Sequence, residues 1–120
     1  MVETVEAAEV ELNRMLIEGH AREAFERFYA DDVVIQENTS PPVVGKDANR
    51  KREEAFLGAV EALQSVELLG WAVRGDTSYS EWVYELQLQD GRRIRMSEVA
   101  ARRWRDGQVV FERYYHNTQL

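Results

Sequence analysis

Apolar residues recur at intervals of three and four along the first thirty residues, which is the spacing of one helix face. The first series runs from Thr4, a candidate N-cap, to Gly19, which is placed as a C-terminal glycine would be. Its apolar positions are Val5, Ala8, Leu12, Met15 and Leu16. A second, shorter series predicts another helix over residues 21–29, so the chain begins with two consecutive helices.

The periodicity changes at residues 30–32, and the β-branched run that follows predicts a strand over residues 33–37. Pro41 and Pro42 end this strand, because proline has no backbone N–H to donate to a neighbouring strand. Gly45 closes the loop, and the next apolar series predicts a third helix from about residue 47 to residue 63.

The chain after residue 64 is typical of antiparallel sheet, with long alternating segments separated by glycine-containing turns. The predicted strands are residues 66–74, 78–89, 92–105 and 108–116. The whole order is then α-α-β-α-β-β-β-β, an α+β fold in which a helical layer covers one antiparallel sheet.

The length and composition narrow the class of protein. The 120 residues suffice for one domain, which we expect to span residues 1–120. The chain has no cysteine and only two, distant histidines, so we expect no disulfide, no metal site and no cofactor. The acidic N-terminus and the lack of an apolar run of about 20 residues predict neither a signal peptide nor a membrane span. A cytoplasmic protein is the expectation.

The net charge of −7 is unevenly distributed. Residues 1–40 hold ten acidic residues against three arginines, which accounts for the whole −7, and residues 41–120 are neutral with twelve of each sign. An acidic surface repels nucleic acid and anionic membranes at long range, so we expect neither as a partner.

Strand alternation sorts the candidate polar residues by face. Glu98 falls on the same side of its strand as Ile94 and Met96, where a carboxylate is costly unless it is paired or lines a wet cavity. The alternatives for Glu98 are a salt bridge to an arginine or a bulge that turns it outward. Glu37 and His116 each end a strand, and each is either a site residue or an ordinary residue at a strand end.

Aromatic residues form the second group of candidates. Trp82 and Tyr84 share one face of their strand, and Trp104 ends the apolar face of the next. These rings serve either as core or as a platform for a flat apolar ligand. Phe56 lies on the apolar side of the predicted third helix and is included among the candidate ligand-binding residues.

The arrangement resembles a known superfamily. The run FYADDVV at residues 28–34, Gly45 before a helix, and WRDGQVV at residues 104–110 are similar to the nuclear transport factor 2-like superfamily, in particular its SnoaL-like and ketosteroid isomerase-like domains. The resemblance covers nearly the whole chain. It implies a curved sheet wrapped round a long N-terminal helix, forming a cone open at one end, and a homodimer that forms through the outer face of the sheet.

The resemblance also implies candidate chemistry. Glu37 occupies the position of the isomerase's catalytic aspartate, a base that moves a proton next to a carbonyl. The isomerase's two oxygen-holding donors fall at Leu12 and Ala100, which cannot donate from their side chains, so its steroid reaction is not expected. The epoxide hydrolase branch is not matched either, because an aspartate of its Asp–Arg–Asp set falls at Tyr114.

The polyketide cyclase branch has a looser requirement, an acidic residue in an otherwise apolar pocket. Glu37 or Glu98 could meet that requirement, with His116 and Tyr114 as further polar lining. Three functions stay open: an isomerase, cyclase or dehydratase acting on an apolar or aromatic small molecule, a non-catalytic binder of a hydrophobic metabolite, and an assembly domain whose cone is filled by side chains. The candidate catalytic residues are Glu37, Glu98 and His116, and the candidate ligand-binding residues are Trp82, Tyr84, Trp104, Tyr114 and Phe56.

Overall fold

A computed structural model describes residues 4–119, with side chains as far as residue 117. Within that range the chain forms three helices and six strands. The elements are α1 (Val5–Ile17), α2 (Ala21–Phe28), β1 (Tyr29–Glu37), β2 (Val43–Val44), α3 (Lys46–Ala59), β3 (Val60–Arg74), β4 (Thr77–Leu88), β5 (Arg93–Arg105) and β6 (Gln108–Gln119). The predicted α+β class is confirmed.

The six strands form one curved sheet in the order β2-β1-β6-β5-β4-β3. All neighbours pair antiparallel except β1 and β6, which run parallel and are separated along the chain by β2, α3, β3, β4 and β5. This parallel pair places the end of β1 beside β6, with Glu37 opposite Tyr114. Two of the candidate site residues are therefore neighbours.

Several elements differ from the sequence-based prediction. β3 begins at residue 60 and not at 66, and β6 continues past His116 to residue 119, so His116 does not end its strand. Three further differences follow from strand pairing. β1 begins at Tyr29 rather than at residue 33, because Tyr29 already pairs with Val109 of β6. The loop after the prolines contains the short strand β2, which pairs with Val34 and Ile35. α3 ends at Ala59 and not at residue 63, because Val60 pairs with Leu88 and the chain continues as sheet. In each case a tertiary pairing overrides the local pattern.

α1 packs against α2 and against the inner face of the sheet, where it contacts β3, β4 and β5. Thr4 caps it as predicted, since its Oγ1 accepts a hydrogen bond from the backbone N–H of Ala7 at 3.1 Å. The apolar core brings together fully or almost fully buried side chains from α1, α2, β1, β5 and β6. The side chains that are at most 4% exposed include Leu12, Phe28, Val33, Trp104 and Val109.

A buried ionic network fixes α1 to the sheet. Arg102 on β5 donates from Nη1 to Glu9 Oε1 of α1 at 2.8 Å and from Nε to Glu112 Oε2 of β6 at 2.7 Å. The side chains of all three are at most 1% exposed. Tyr29 donates a further hydrogen bond to Glu112 Oε2 at 2.5 Å, and Asn13 accepts one from Arg102 at 3.0 Å. Such a network is stable only because each charge faces a partner.

The outer face of the sheet carries exposed apolar side chains. Tyr79 on β4 and Tyr115 on β6 are 44% and 47% exposed, and Leu69 on β3 is 51% exposed. Leu69 and Tyr115, together with Val83 and Val99, border a shallow depression on the side of the sheet away from α1. We call the patch formed by Leu69, Val83, Val99 and Tyr115 the outer apolar patch.

The network predicts a large stability loss when its cation is removed. Arg102→Met leaves Glu9 and Glu112 buried without their common partner, so we expect the free energy of unfolding to fall by about 3–5 kcal/mol. Urea denaturation measures this change. Arg105→Met is the matched control, because Arg105 on the same strand forms only an exposed ion pair with Asp32. Equal stability of the two variants would contradict the role of Arg102.

Candidate active site

A cavity of about 520 Å³ lies between α1, α2, α3 and the concave face of the sheet, so the cone is open and not filled. Most of its wall is apolar, with Leu12 and Leu16 from α1, Phe25 from α2, Phe56 and Leu57 from α3, and Leu86 and Met96 from the sheet. Its volume falls in the range typical of small-molecule sites. The polar side chains on this wall determine which chemical reactions the cavity could support.

Glu37 is held at the cavity wall by an ion pair. Its Oε1 accepts a hydrogen bond from Arg52 Nη1 of α3 at 2.9 Å, and its Oε2 lies 3.9 Å from His116 Nε2. The Glu37 side chain is 47% exposed and that of His116 is 21% exposed. Asn38, the next residue, binds both the N–H and the carbonyl of His116, which fixes the end of β1 against β6.

Glu98 projects from β5 into the cavity, on the apolar side where strand alternation places it. No hydrogen bond or ion pair joins its carboxyl group to another residue within the described part of the chain. Burial raises the pKa of Glu98 from 4.5 to about 8, and the nearby Glu112 adds to the increase. The group is therefore protonated at neutral pH and can donate a hydrogen bond or a proton.

Glu53 of α3 is a cavity residue that the sequence analysis missed. Burial, with a further contribution from Glu112, raises its pKa to about 7. The signal that could have found it is helical spacing, because residues 53, 56, 57 and 60 recur at i, i+3, i+4 and i+7 and all line the cavity. Glu53 escapes notice in the sequence because charged residues surround it on both sides.

Six of the eight predicted site residues line this cavity: Glu37, Phe56, Tyr84, Glu98, Tyr114 and His116. Tyr84 and Tyr114 are largely enclosed, and burial raises the pKa of both hydroxyls well above 10. Leu12 also lines the cavity, whereas Ala100 is fully buried and does not. The structure thus brings the three candidate catalytic side chains together on one cavity wall.

Trp82 and Trp104 do not line the cavity. Both indoles are buried, and each donates its Nε1–H to a serine at 2.8 Å, Trp82 to Ser80 and Trp104 to Ser78. The two serines in turn contact the ionic network, since Ser78 donates to Glu9 at 2.8 Å and Ser80 accepts from Arg102 at 3.4 Å. These tryptophans support the core around the network because a buried indole N–H needs an acceptor.

Two kinds of feature are absent from residues 4–119. No helix in that range has the length and hydropathy needed to cross a membrane. Nor does the described chain group three His, Cys, Asp or Glu side chains in a way that could hold a metal ion.

The curved sheet closed by a long helix, with a cavity between them, defines an NTF2-like fold. The model of the SnoaL-like domain family matches residues 10–112, and the chain belongs to that family. No curated protein sequence is detectably similar to it.

Solved structures agree with this assignment. A Mesorhizobium loti protein, provisionally named a SnoaL-like polyketide cyclase, is 25% identical over 94% of this chain and 99% of its own, with a TM-score of 0.82. A provisionally named isomerase from Bacillus subtilis is 19% identical over 96% of this chain and 90% of its own, with a TM-score of 0.80. An NTF2-like protein of unknown function from Cytophaga hutchinsonii is 10% identical over 95% and 100%, with a TM-score of 0.72.

The raised pKa of Glu98 predicts a pH-dependent stability. The folded state holds this proton more tightly than the unfolded state, so the contribution of Glu98 to stability is lost as pH rises from about 4.5 to about 8. We expect Glu98→Gln, which cannot ionise, to be more stable than the unchanged protein at pH 8.5 and to show a smaller difference at pH 5. Thermal unfolding at both pH values measures this, and an identical pH dependence of the two proteins would contradict it.

Proposed function

We propose that this protein is a SnoaL-like enzyme of the isomerase or cyclase kind, which transfers a proton on a neutral apolar or aromatic substrate. The observation that carries the proposal is that one apolar cavity contains two glutamates in different environments. Glu37 faces Arg52 and is half-exposed, whereas Glu98 is enclosed, unpartnered and protonated at neutral pH. Two carboxyl groups with separate environments are the usual basis for a division into base and acid.

The proposed reaction begins with the removal of a proton from a carbon next to a carbonyl. Glu37 takes the proton, and the electron pair of the broken C–H bond moves onto the carbonyl oxygen to give an enolate. Glu98 stabilises that oxygen by donating a hydrogen bond from its protonated carboxyl group. The enolate then forms its new C–H or C–C bond, and in an isomerisation Glu37 returns the proton to a different carbon.

His116 and the apolar lining complete the proposed site. His116 lies beside the Glu37 carboxylate and would position it toward the substrate. Phe56, Tyr84 and Tyr114 would contact the substrate ring system. A small hydrophobic molecule is therefore the proposed partner, and a cytoplasmic location stays a prediction.

A non-catalytic binder of a hydrophobic metabolite is the second candidate function. The observation that favours it is the lack of a donor at Leu12, which lines the cavity, and at Ala100, which does not reach it. Such a protein would use the same apolar lining to hold its ligand. The third possibility, an assembly domain, requires a cone filled by side chains. The cavity of about 520 Å³ is evidence against it.

Proton abstraction can be tested without knowledge of the natural substrate. We expect the protein to accelerate exchange of the α-protons of 2-tetralone in D2O, measured by proton NMR. Glu37→Gln should reduce this rate by at least a hundredfold, because an amide cannot accept the proton. Glu85→Gln is the matched control, since Glu85 has the same 47% exposure and also pairs with an arginine.

The two candidate functions give different outcomes in this experiment. Binding of 2-tetralone without accelerated exchange supports the non-catalytic binder. Equal exchange rates for Glu37→Gln and Glu85→Gln would exclude Glu37 as the base.

We also propose that the outer apolar patch forms a homodimer. Its exposed side chains, among them Leu69 and Tyr115, gain stability when they are removed from water. We expect light scattering to give a dimer that Tyr115→Lys converts to monomer. Val44→Lys changes an apolar residue that is 69% exposed elsewhere on the surface and should leave the dimer intact. A monomer in the unchanged protein at high concentration would contradict the proposal.

A further inference from the structure

Arg102 is a buried cation, and only two of the three nitrogens of its guanidinium donate hydrogen bonds to other described residues. Its Nε donates to Glu112, and its Nη1 donates to Glu9, Asn13 and Ser80. Within the described residues no acceptor is bonded to Nη2. One nitrogen of a side chain that is 1% exposed is therefore left with free N–H groups.

This nitrogen is not enclosed by protein atoms. In the part of the chain that the structure describes, the side-chain atoms that are both fully enclosed and unpartnered are Asn49 Oδ1, Arg52 Nε and Glu112 Oε1. Arg102 Nη2 is unpartnered but is not one of these atoms, so it reaches open space. The open space that Arg102 borders is the cavity.

The sheet register places two further donors near Arg102. Glu98 and Arg102 lie on the same face of β5, on either side of Ala100, and Tyr114 of β6 pairs with Ala100. Glu98 and Arg102 are four residues apart, about 13 Å at their bases. Both long side chains border the same cavity, and the charge of Arg102 acts on the Glu98 carboxyl group. Arg102, Glu98 and Tyr114 thus surround one corner of the cavity floor.

We propose that Arg102 Nη2 is a substrate-binding donor that holds an uncharged carbonyl oxygen of the substrate at the cavity floor. The inference rests on the proposed function, because it names a group that would receive the negative charge of the enolate. It also narrows the substrate class. Two carboxyl groups, those of Glu9 and Glu112, already face this guanidinium, and a carboxylate or phosphate on the substrate would be repelled by them.

Three probes of similar size separate the possible ligand classes. They are 2-acetylnaphthalene, which is a neutral ketone, 2-ethylnaphthalene, which has no oxygen, and 2-naphthoate, which is an anion. We expect the ketone to bind about tenfold more tightly than the hydrocarbon, since a hydrogen bond from a charged donor contributes on that scale. The anion should bind more weakly than the ketone. Fluorescence titration measures the three dissociation constants.

Two variants remove the donor in different ways. Arg102→Lys keeps the positive charge but loses the forked guanidinium, and the triple variant Glu9→Gln, Arg102→Met, Glu112→Gln removes the whole ionic network together. In both we expect the tenfold preference for the ketone to fall below threefold. Arg105→Lys, a change at an exposed arginine of the same strand, should keep the full preference.

A spectroscopic measurement keeps the proposal testable if neither Arg102 variant folds. In the double variant Glu98→Leu, Tyr114→Phe, Arg102 is the donor that remains at this corner. The carbonyl stretching frequency of bound 2-acetylnaphthalene should then still lie below its value in hexane. An unshifted frequency would overturn the proposal.

The outcomes distinguish this proposal from the proposed function. Equal binding of ketone and hydrocarbon to the unchanged protein would overturn the role of Arg102 and leave the cavity as a site for apolar molecules. Tighter binding of 2-naphthoate would overturn the neutral-substrate class. Loss of α-proton exchange in Glu37→Gln, combined with an unchanged ketone preference in the Arg102 variants, would support the enzyme and reject Arg102 as its donor.

Discussion

The fold depends on the contact between Arg102 and the carboxyl groups of Glu9 and Glu112. This contact joins α1 to β5 and β6 in a region where the three side chains are at most 1% exposed. A buried charge without partners is strongly destabilising, so α1 cannot shift or rotate without breaking several bonds at once. α1 in turn contributes side chains both to the apolar core and, through Leu12 and Leu16, to the wall of the cavity.

The same network also sets the electrostatics of the cavity. Glu112 is, after burial, the first electrostatic cause of the raised pKa values of both Glu53 and Glu98. Burial is the larger cause for both groups, and the charge of Glu112, which does not line the cavity, raises both pKa values further. Glu112 therefore has two effects, since it also accepts the hydrogen bond from Arg102 Nε.

Much of this arrangement follows from local sequence patterns. Strand alternation alone places Glu98 among apolar neighbours, and the FYADDVV run places Glu37 at the end of β1. Arg102 and Glu112 also fall on inward faces by parity, but an arginine and a glutamate at such positions predict nothing unless their partners are known. Those partners come from α1, some 90 residues earlier in the chain, and from β6, which only the sheet register brings alongside.

The sequence left the tryptophans between core and ligand platform, and it gave no sign of Glu53, for a related reason. Parity assigns Trp82 and Tyr84 to the same face, but only the tertiary structure shows that the first is buried with a serine acceptor and the second reaches the cavity. Glu53 lies between Arg52 and Glu54, so its sequence context is that of a solvated helix face. Arg52 and Glu53 line the cavity and Glu54 does not, and this difference depends on how α3 packs against β1.

The proposed donor lies near a position where the isomerase-like pattern has an oxygen-holding group, but a different residue of the strand supplies it. In the isomerase-like pattern the oxygen-holding groups would come from Leu12 and Ala100, and here neither can donate. Glu98 and Arg102 lie two residues to either side of Ala100 on the same face, and their longer side chains extend to the cavity where the alanine does not. An arginine held by two carboxyl groups has little tendency to attract a further anion, yet its free N–H groups still bind a neutral oxygen and stabilise charge that develops on it. The cavity floor therefore favours chemistry at a carbonyl over chemistry on an anionic substrate.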